Sequence, residues 1–126
     1  MKCLIVDDQP LARDLASKYV KQTPEMELVA ACEGPISALM VLQSQHIDLL
    51  LLDIEMPDLS GYELLQSLSK PPLVIVISGF AEFALEGYRW NIVDFILKPL
   101  SMEKLLIAIN KAKVRVTEKT ATSEVE

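Results

Sequence analysis

Five short apolar runs recur along this chain, and they constrain its fold more than any other feature. They are Cys3–Val6, Leu28–Ala31, Leu49–Leu52, Leu73–Ile77 and Val93–Leu97. Several are apolar at nearly every position, as in strands covered on both faces rather than one. Helical patterns fall between them. Ala12, Leu15, Ala16, Tyr19 and Val20 form one amphipathic stripe, and Met102, Leu105, Leu106 and Ile109 form another. A helix is expected to start near Gly34-Pro35, where proline suits the first helical position. A further helix follows Ser60-Gly61, turns Leu64, Leu65 and Leu68 inward, and stops before Pro71-Pro72. A shorter one is expected over Glu82–Arg89. Strands alternating with helices imply right-handed crossovers and a five-stranded parallel sheet flanked by five helices, an α/β doubly wound fold. After Lys113 the chain turns rich in Thr, Ser and Glu. The expected domain is therefore residues 1–113, with 114–126 as a linker or disordered tail.

The chain has 126 residues, enough for one compact domain. Its 51% hydrophobic and 24% charged residues supply both a core and a solvated surface. No apolar run reaches the roughly 20 residues that span a bilayer, and the first run is too short for a signal peptide. A cytoplasmic location and no membrane partner are the expectations. The net charge of -6 argues against direct nucleic-acid binding, since a phosphate backbone attracts clustered Lys and Arg. Cys3 and Cys32 have no metal-ligand spacing and sit in apolar stretches, so both read as buried free thiols. His46, the only histidine, reads as a helix-end residue rather than a catalytic base.

In doubly wound sheets, ligands bind beyond the carboxyl ends of the strands, where strand order reverses. Polar residues fall at that edge repeatedly. Asp7 and Asp8 close the first apolar run, Asp53 the third, Ser78 the fourth and Lys98 the fifth. Three carboxylates in one shallow site repel each other, so a pKa must rise or a cation must enter. An all-oxygen donor set suits Mg²⁺, with Mn²⁺ as the alternative. Asp53 can then act as an ionised nucleophile towards a phosphoryl group, with Lys98 neutralising charge and Ser78 donating a hydroxyl. Taken singly, each residue has a plainer explanation. Asp8 before Gln9-Pro10 could be a helix N-cap, Lys98-Pro99 a solvated lysine at a turn, and Ser78-Gly79 a loop start. Their shared edge favours the functional reading.

At these residues the sequence resembles the response-regulator receiver family of two-component signalling. The resemblance rests on Leu4-Ile5-Val6-Asp7-Asp8, Leu51-Leu52-Asp53-Ile54-Glu55-Met56-Pro57, Ser60-Gly61, Val76-Ile77-Ser78-Gly79 and Leu97-Lys98-Pro99. It implies a CheY-like, flavodoxin-like strand order of 2-1-3-4-5, the order given for such folds generally. It also implies that Asp53 takes its phosphoryl group from a sensor histidine kinase. Asp8, Asp53 and the backbone carbonyl of Glu55 would hold Mg²⁺, and Asp7 would act through metal-bound water. Lys98 would pair with the phosphoryl group, Ser78 would move towards it, and Phe95 would turn inward as the coupled switch. The family's lysine–proline bond is usually cis, which implies the same at Lys98-Pro99.

The stretch from Phe80 to Tyr88, followed by Val93-Asp94-Phe95-Ile96-Leu97-Lys98-Pro99, further resembles receivers attached to LytTR-type DNA-binding domains. An output domain of that kind would lie outside this chain. Such a receiver catalyses only its own phosphorylation and dephosphorylation. Glu55 and Phe80 are the expected tuning positions, Phe80 shielding the phosphoryl group from water and Glu55 altering metal preference. Tyr88, Trp90 and Phe95 concentrate aromatics near the expected output face, built from Glu82–Arg89, the fifth strand and the last helix. Homodimer formation through that face on phosphorylation is the expectation.

Three other functions compete. An aspartyl-phosphate hydrolase would resemble Asp-x-Asp-x-Thr after the first strand, where this chain has Asp7-Asp8-Gln9-Pro10. A flavodoxin-like cofactor binder needs a Ser/Thr/Gly-rich phosphate loop there, and these acids would repel phosphate. A docking-only pseudo-receiver is disfavoured because no central site residue is missing.

Overall fold

The computed structural model describes residues 1–56, 60–82, 84, 90 and 92–125, with side chains as far as Glu118. Its strands are β1 (Lys2–Val6), β2 (Glu27–Cys32), β3 (Leu49–Asp53), β4 (Leu73–Ser78) and β5 (Asp94–Leu97). Its helices are α1 (Pro10–Gln22), α2 (Pro35–Ser44), α3 (Gly61–Gln66) and α4 (Met102–Val125). The strands form one parallel sheet in the order β2-β1-β3-β4-β5. Order reverses between β1 and β3, so the crevice of a doubly wound sheet opens where Asp7 and Asp53 end their strands.

Side-chain alternation along the strands builds two cores. Cys3, Ile5, Leu49, Leu51, Ile75, Ile77 and Ile96 pack on one face with Ala16 and Val20 of α1 and Leu105, Ala108, Ile109 and Ala112 of α4. Leu4, Val6, Leu50, Leu52, Val74 and Val76 pack on the other with Ala38 of α2 and Tyr62, Leu64 and Leu65 of α3. The period of two sends successive residues of an all-apolar run to opposite faces, and both faces are covered. The four leucines of β3 are essentially fully buried. At about 1.5–3 kcal/mol each, their burial contributes roughly 6–12 kcal/mol as an upper estimate. That exceeds the few kcal/mol that burying one partnered carboxylate costs. Asp53 therefore goes where β3 takes it.

Proline stands in the first turn of both α1 and α2, and Ser60 caps α3 by accepting from Glu63 N at 3.2 Å. The N-cap of α1 is Gln9, not Asp8, so Asp8 is not spent on capping. The Lys98-Pro99 peptide is cis. Both cysteines are buried and free, and burial pushes the Cys3 thiol up to about 12.

One expectation changes: among the described residues there are four helices. Ala81, Glu82 and Ala84 have 3₁₀ geometry, and the rest of the helix expected over Glu82–Arg89, Tyr88 included, lies outside the described residues. Helix α4 runs past the expected domain boundary at 113, as far as Val125. Ala112 is its last buried residue among those described with side chains, and just beyond it the Arg115 guanidinium donates to Ile92 O at 3.2 Å, while Lys113 pairs with Glu25 at 3.1 Å. Those ties hold the first turn past the expected boundary. None of the described helices is long and apolar enough to cross a membrane.

Candidate functional site

The sheet brings every rim residue singled out in the sequence to one edge, each by the geometry of its own strand end. Asp7 follows β1 and is tied to β2 through Asp7 N→Cys32 O at 3.0 Å. Asp53 is the last residue of β3, registered beside Ile77 of β4, so Ser78 lies one residue beyond it on the neighbouring strand. Lys98 follows β5 and is held to the end of β4 by Lys98 N→Ser78 O at 2.7 Å. Carboxylate oxygens of Asp7, Asp8 and Asp53 lie within 4.8 Å of one another. The Lys98 ammonium is 3.2 Å from Asp7 Oδ2 and 3.6 Å from Asp53 Oδ2.

Gly61 explains why a Ser-Gly pair belongs to this site. Its N–H donates to Ile54 O at 3.2 Å, and a Cβ there would sit 2.8 Å from both Asp53 O and Ile54 Cα. Any side chain at 61 would push α3 off the backbone that carries Asp53.

The electrostatics single out Asp53. It is only 2% exposed, and its pKa is raised to about 7. Burial is the largest cause, opposed by the Glu55 N–H, which donates to Oδ1 at 3.0 Å. The Asp7 charge raises it further, Lys98 lowers it, and the neighbouring Asp8 side chain raises it again. Asp8 Oδ1 is buried with no hydrogen-bond partner among the described residues. An orphaned carboxylate oxygen beside two more carboxylates fits a hard divalent cation, which takes oxygen ligands and keeps several waters. The residues present thus fit Mg²⁺ or Mn²⁺.

Ser78 is fully buried. Its hydroxyl donates to Glu55 Oε1 and accepts from Phe80 N at 3.1 Å. Glu55 Oε1 also accepts from Gly79 N at 3.0 Å. Phe80 is half exposed beside this turn, and Phe95 is half-buried against the second core with Trp90. Trp90 is therefore partly a core residue.

Sequence reasoning missed two participants. Gln9 accepts from Lys98 Nζ at 2.9 Å, across 89 residues of chain. The Glu55 side chain, expected to tune metal preference, also binds the end of β4. Neither has a local sequence signal, because both partners come from other strands. His46 lies at the opposite end of the molecule, exposed, with Nε2 2.8 Å from Asp48 Oδ1.

A carboxylate triad with a lysine at the switch point of a 2-1-3-4-5 sheet defines a class of doubly wound folds with an acidic crevice fit for a hard cation. Residues 3–110 match the response regulator receiver domain, and the chain belongs to that family of two-component signalling proteins. It is 38% identical over 115 residues to the sensory transduction protein LytT of Enterococcus faecalis, covering 89% of this chain and 48% of that one. The chain thus spans about half the length of the curated relatives it matches. The response regulatory domain of MrkE from Klebsiella pneumoniae superposes with a TM-score of 0.84 at 28% identity, covering 94% of this chain and 99% of that one. The response regulator TrrA from Thermotoga maritima, solved in complex with Mg²⁺-BeF, superposes at 0.77 and 25% identity, covering 88% and 97%.

Proposed function

We propose that Asp53 accepts a phosphoryl group from a sensor histidine kinase and that Ser78, Phe95 and Lys98 carry the change to an output surface. The observation that carries this reading is the convergence of Asp7, Asp8 and Asp53 with Lys98, together with the orphaned Asp8 oxygen. Asp8, Asp53 and the Glu55 carbonyl would hold Mg²⁺, with Asp7 reached through water. When bound, the cation supplies neutralising charge, keeping Asp53 ionised and screening the phosphoryl oxygens. TrrA, solved with Mg²⁺-BeF, supports the same combination here.

An Asp53 oxygen attacks phosphorus as the P–N bond to the kinase histidine breaks, and the departing imidazole keeps the electron pair and takes a proton. Lys98 is freed from Asp7 to pair with the new phosphoryl oxygens. Ser78 donates to one of them, and Phe95 follows inward. For hydrolysis, water attacks phosphorus and the bond to Asp53 breaks. Phe80, beside Ser78, shields that approach, and Phe80→Ala should speed loss of the phosphoryl group. The chain is thus no enzyme towards other substrates.

The receiver unit is residues 1–113, with 114–126 as a linker or tail. Its output face comprises Glu82–Arg89, expected to be the fourth of five helices in chain order, with β5 and the last helix, α4. Exposed Leu97, Leu106 and Ile107 give that face an apolar character suited to a homodimer formed on phosphorylation. Sedimentation showing one mass with and without beryllofluoride would count against the dimer. Transcriptional output through a separate DNA-binding domain, in the cytoplasm, follows from the resemblance to LytTR-type receivers.

Incubation with acetyl phosphate and Mg²⁺, followed by intact mass, tests the central point. One phosphoryl adduct is expected on the wild-type chain, with acetate released. Its persistence in Asp53→Asn would overturn the assignment, and turnover of unrelated phosphate esters would favour the hydrolase.

A further inference from the structure

Glu55 bridges the acceptor and the residue expected to read it. Its backbone N–H donates to Asp53 Oδ1, and its carboxylate crosses to β4, where Oε1 receives both the Ser78 hydroxyl and Gly79 N. A serine hydroxyl has one proton. In this structure that proton goes to Glu55, much the nearer of its two acceptors (Phe80 O lies at 3.4 Å), while the Ser78 oxygen accepts from Phe80 N. Ser78 cannot donate to a phosphoryl oxygen until Glu55 lets go. The two donors are also a good match for a phosphoryl oxygen: an N–H and an O–H, one strand over from Asp53, already converged on one anionic oxygen.

We infer that the Glu55 carboxylate is a built-in competitor of the phosphoryl group, occupying Ser78 and Gly79 in the resting state and displaced on phosphorylation. The inference rests on Asp53 being the phosphoacceptor. It gives Glu55 a role apart from metal preference. The added phosphoryl carries about two negative charges, which repel the glutamate as they take its donors. Exchange of one anion for another makes the resting state a defined arrangement rather than a loose one. It also reduces the net gain on phosphorylation, because donors already satisfied must be released first.

Beryllofluoride titrations at saturating Mg²⁺, followed through the Gly79 amide in ¹H–¹⁵N spectra, test it. Glu55→Ala should bind beryllofluoride about tenfold more tightly than wild type, the scale of one charge-assisted hydrogen bond released from competition. Glu55→Gln, which keeps an acceptor and loses the charge, should fall between. Removing any nearby acid would favour an anion somewhat, so the decisive comparison uses Ser78→Ala. In that background the gain from Glu55→Ala should shrink at least threefold, because one contested donor is already gone. An equal gain in both backgrounds, or a Glu55→Ala affinity within twofold of wild type, would overturn the competitor. Failure of the wild-type chain to take beryllofluoride, or a phosphoryl adduct in the mass assay, would instead overturn the phosphoacceptor reading itself, and this inference with it.

Discussion

Asp48 and Asp53 sit at the two ends of the same strand, and their environments have opposite effects. At the amino end, burial pushes the Asp48 carboxyl up, but Lys2 N (2.7 Å), the His46 ring and the amino terminus outweigh it and hold it below its usual value. At the carboxyl end, Asp53 has one N–H and a lysine that is nearer to Asp7, against deep burial and two carboxylate neighbours. The first aspartate is a satisfied brace between β1 and β3. The second is a carboxylate whose charge needs a partner that the described residues only partly provide. Placement on the strand does not decide which acid becomes reactive. The balance of donors against burial does.

The largest expected effect separates the two residues outright. Asp53→Asn should abolish the phosphoryl adduct in the acetyl phosphate assay, while Asp48→Asn should leave its yield within twofold, since Asp48 lies at the far end of β3. An adduct lost in both variants would mean that the contrast reflects folding rather than chemistry.

The next effect is a stability slope. The folded pKa of Asp53, about 7, stands above its ordinary value of 3.8. The folded state therefore binds more protons than the unfolded state between those values. The stability contributed by the protonated form is fully present below pH 4, falls as pH rises towards 7, and then levels off. The expected change is on the order of a few kcal/mol in urea titrations with a chelator present. Asp53→Asn should flatten that slope and be the more stable chain at pH 8. Asp48 acts in the opposite sense. Its lowered pKa contributes stability above its ordinary value of 3.8 that is lost only on acidification below it.

Metal should reduce the contrast from the carboxyl end. At a hundredfold excess over its dissociation constant, Mg²⁺ should raise stability by about 2.7 kcal/mol. Asp8→Asn should lose most of that gain, read as the shift in unfolding midpoint. A full Mg²⁺ effect in Asp8→Asn would remove Asp8 from the ligand set. The smallest effect lies at the brace: Asp48→Ala should cost about 1 kcal/mol in the same titrations, by leaving Lys2 N without its acceptor.

How much was legible follows from the range of each interaction. Leu49–Leu52 announced a doubly covered strand because burial of alternate residues on two faces needs no knowledge of neighbours. The same logic put Asp7, Asp53, Ser78 and Lys98 at one edge, since in a parallel sheet all strand ends share a side. The Gly61 approach was visible only as a Ser-Gly pair and gained its cause from Asp53 O, which would lie 2.8 Å from a Cβ at that position. The extension of α4 to Val125 was missed because apolar periodicity ends near Ala112, while two contacts hold the next turn. Gln9–Lys98 and Glu55–Ser78 were not legible, because their partners are 89 and 23 residues apart in the chain.

From the sequence alone, the strands, their all-parallel arrangement and the identity of the rim residues could be worked out, because hydrophobic period and strand-end position are local properties. Only the tertiary structure decided which carboxylate is raised, which oxygen has no partner among the described residues, and which side chain accepts from Ser78. Those depend on distances of a few ångströms between strands, where burial and neighbouring charge set the energy of a proton and a hydrogen bond.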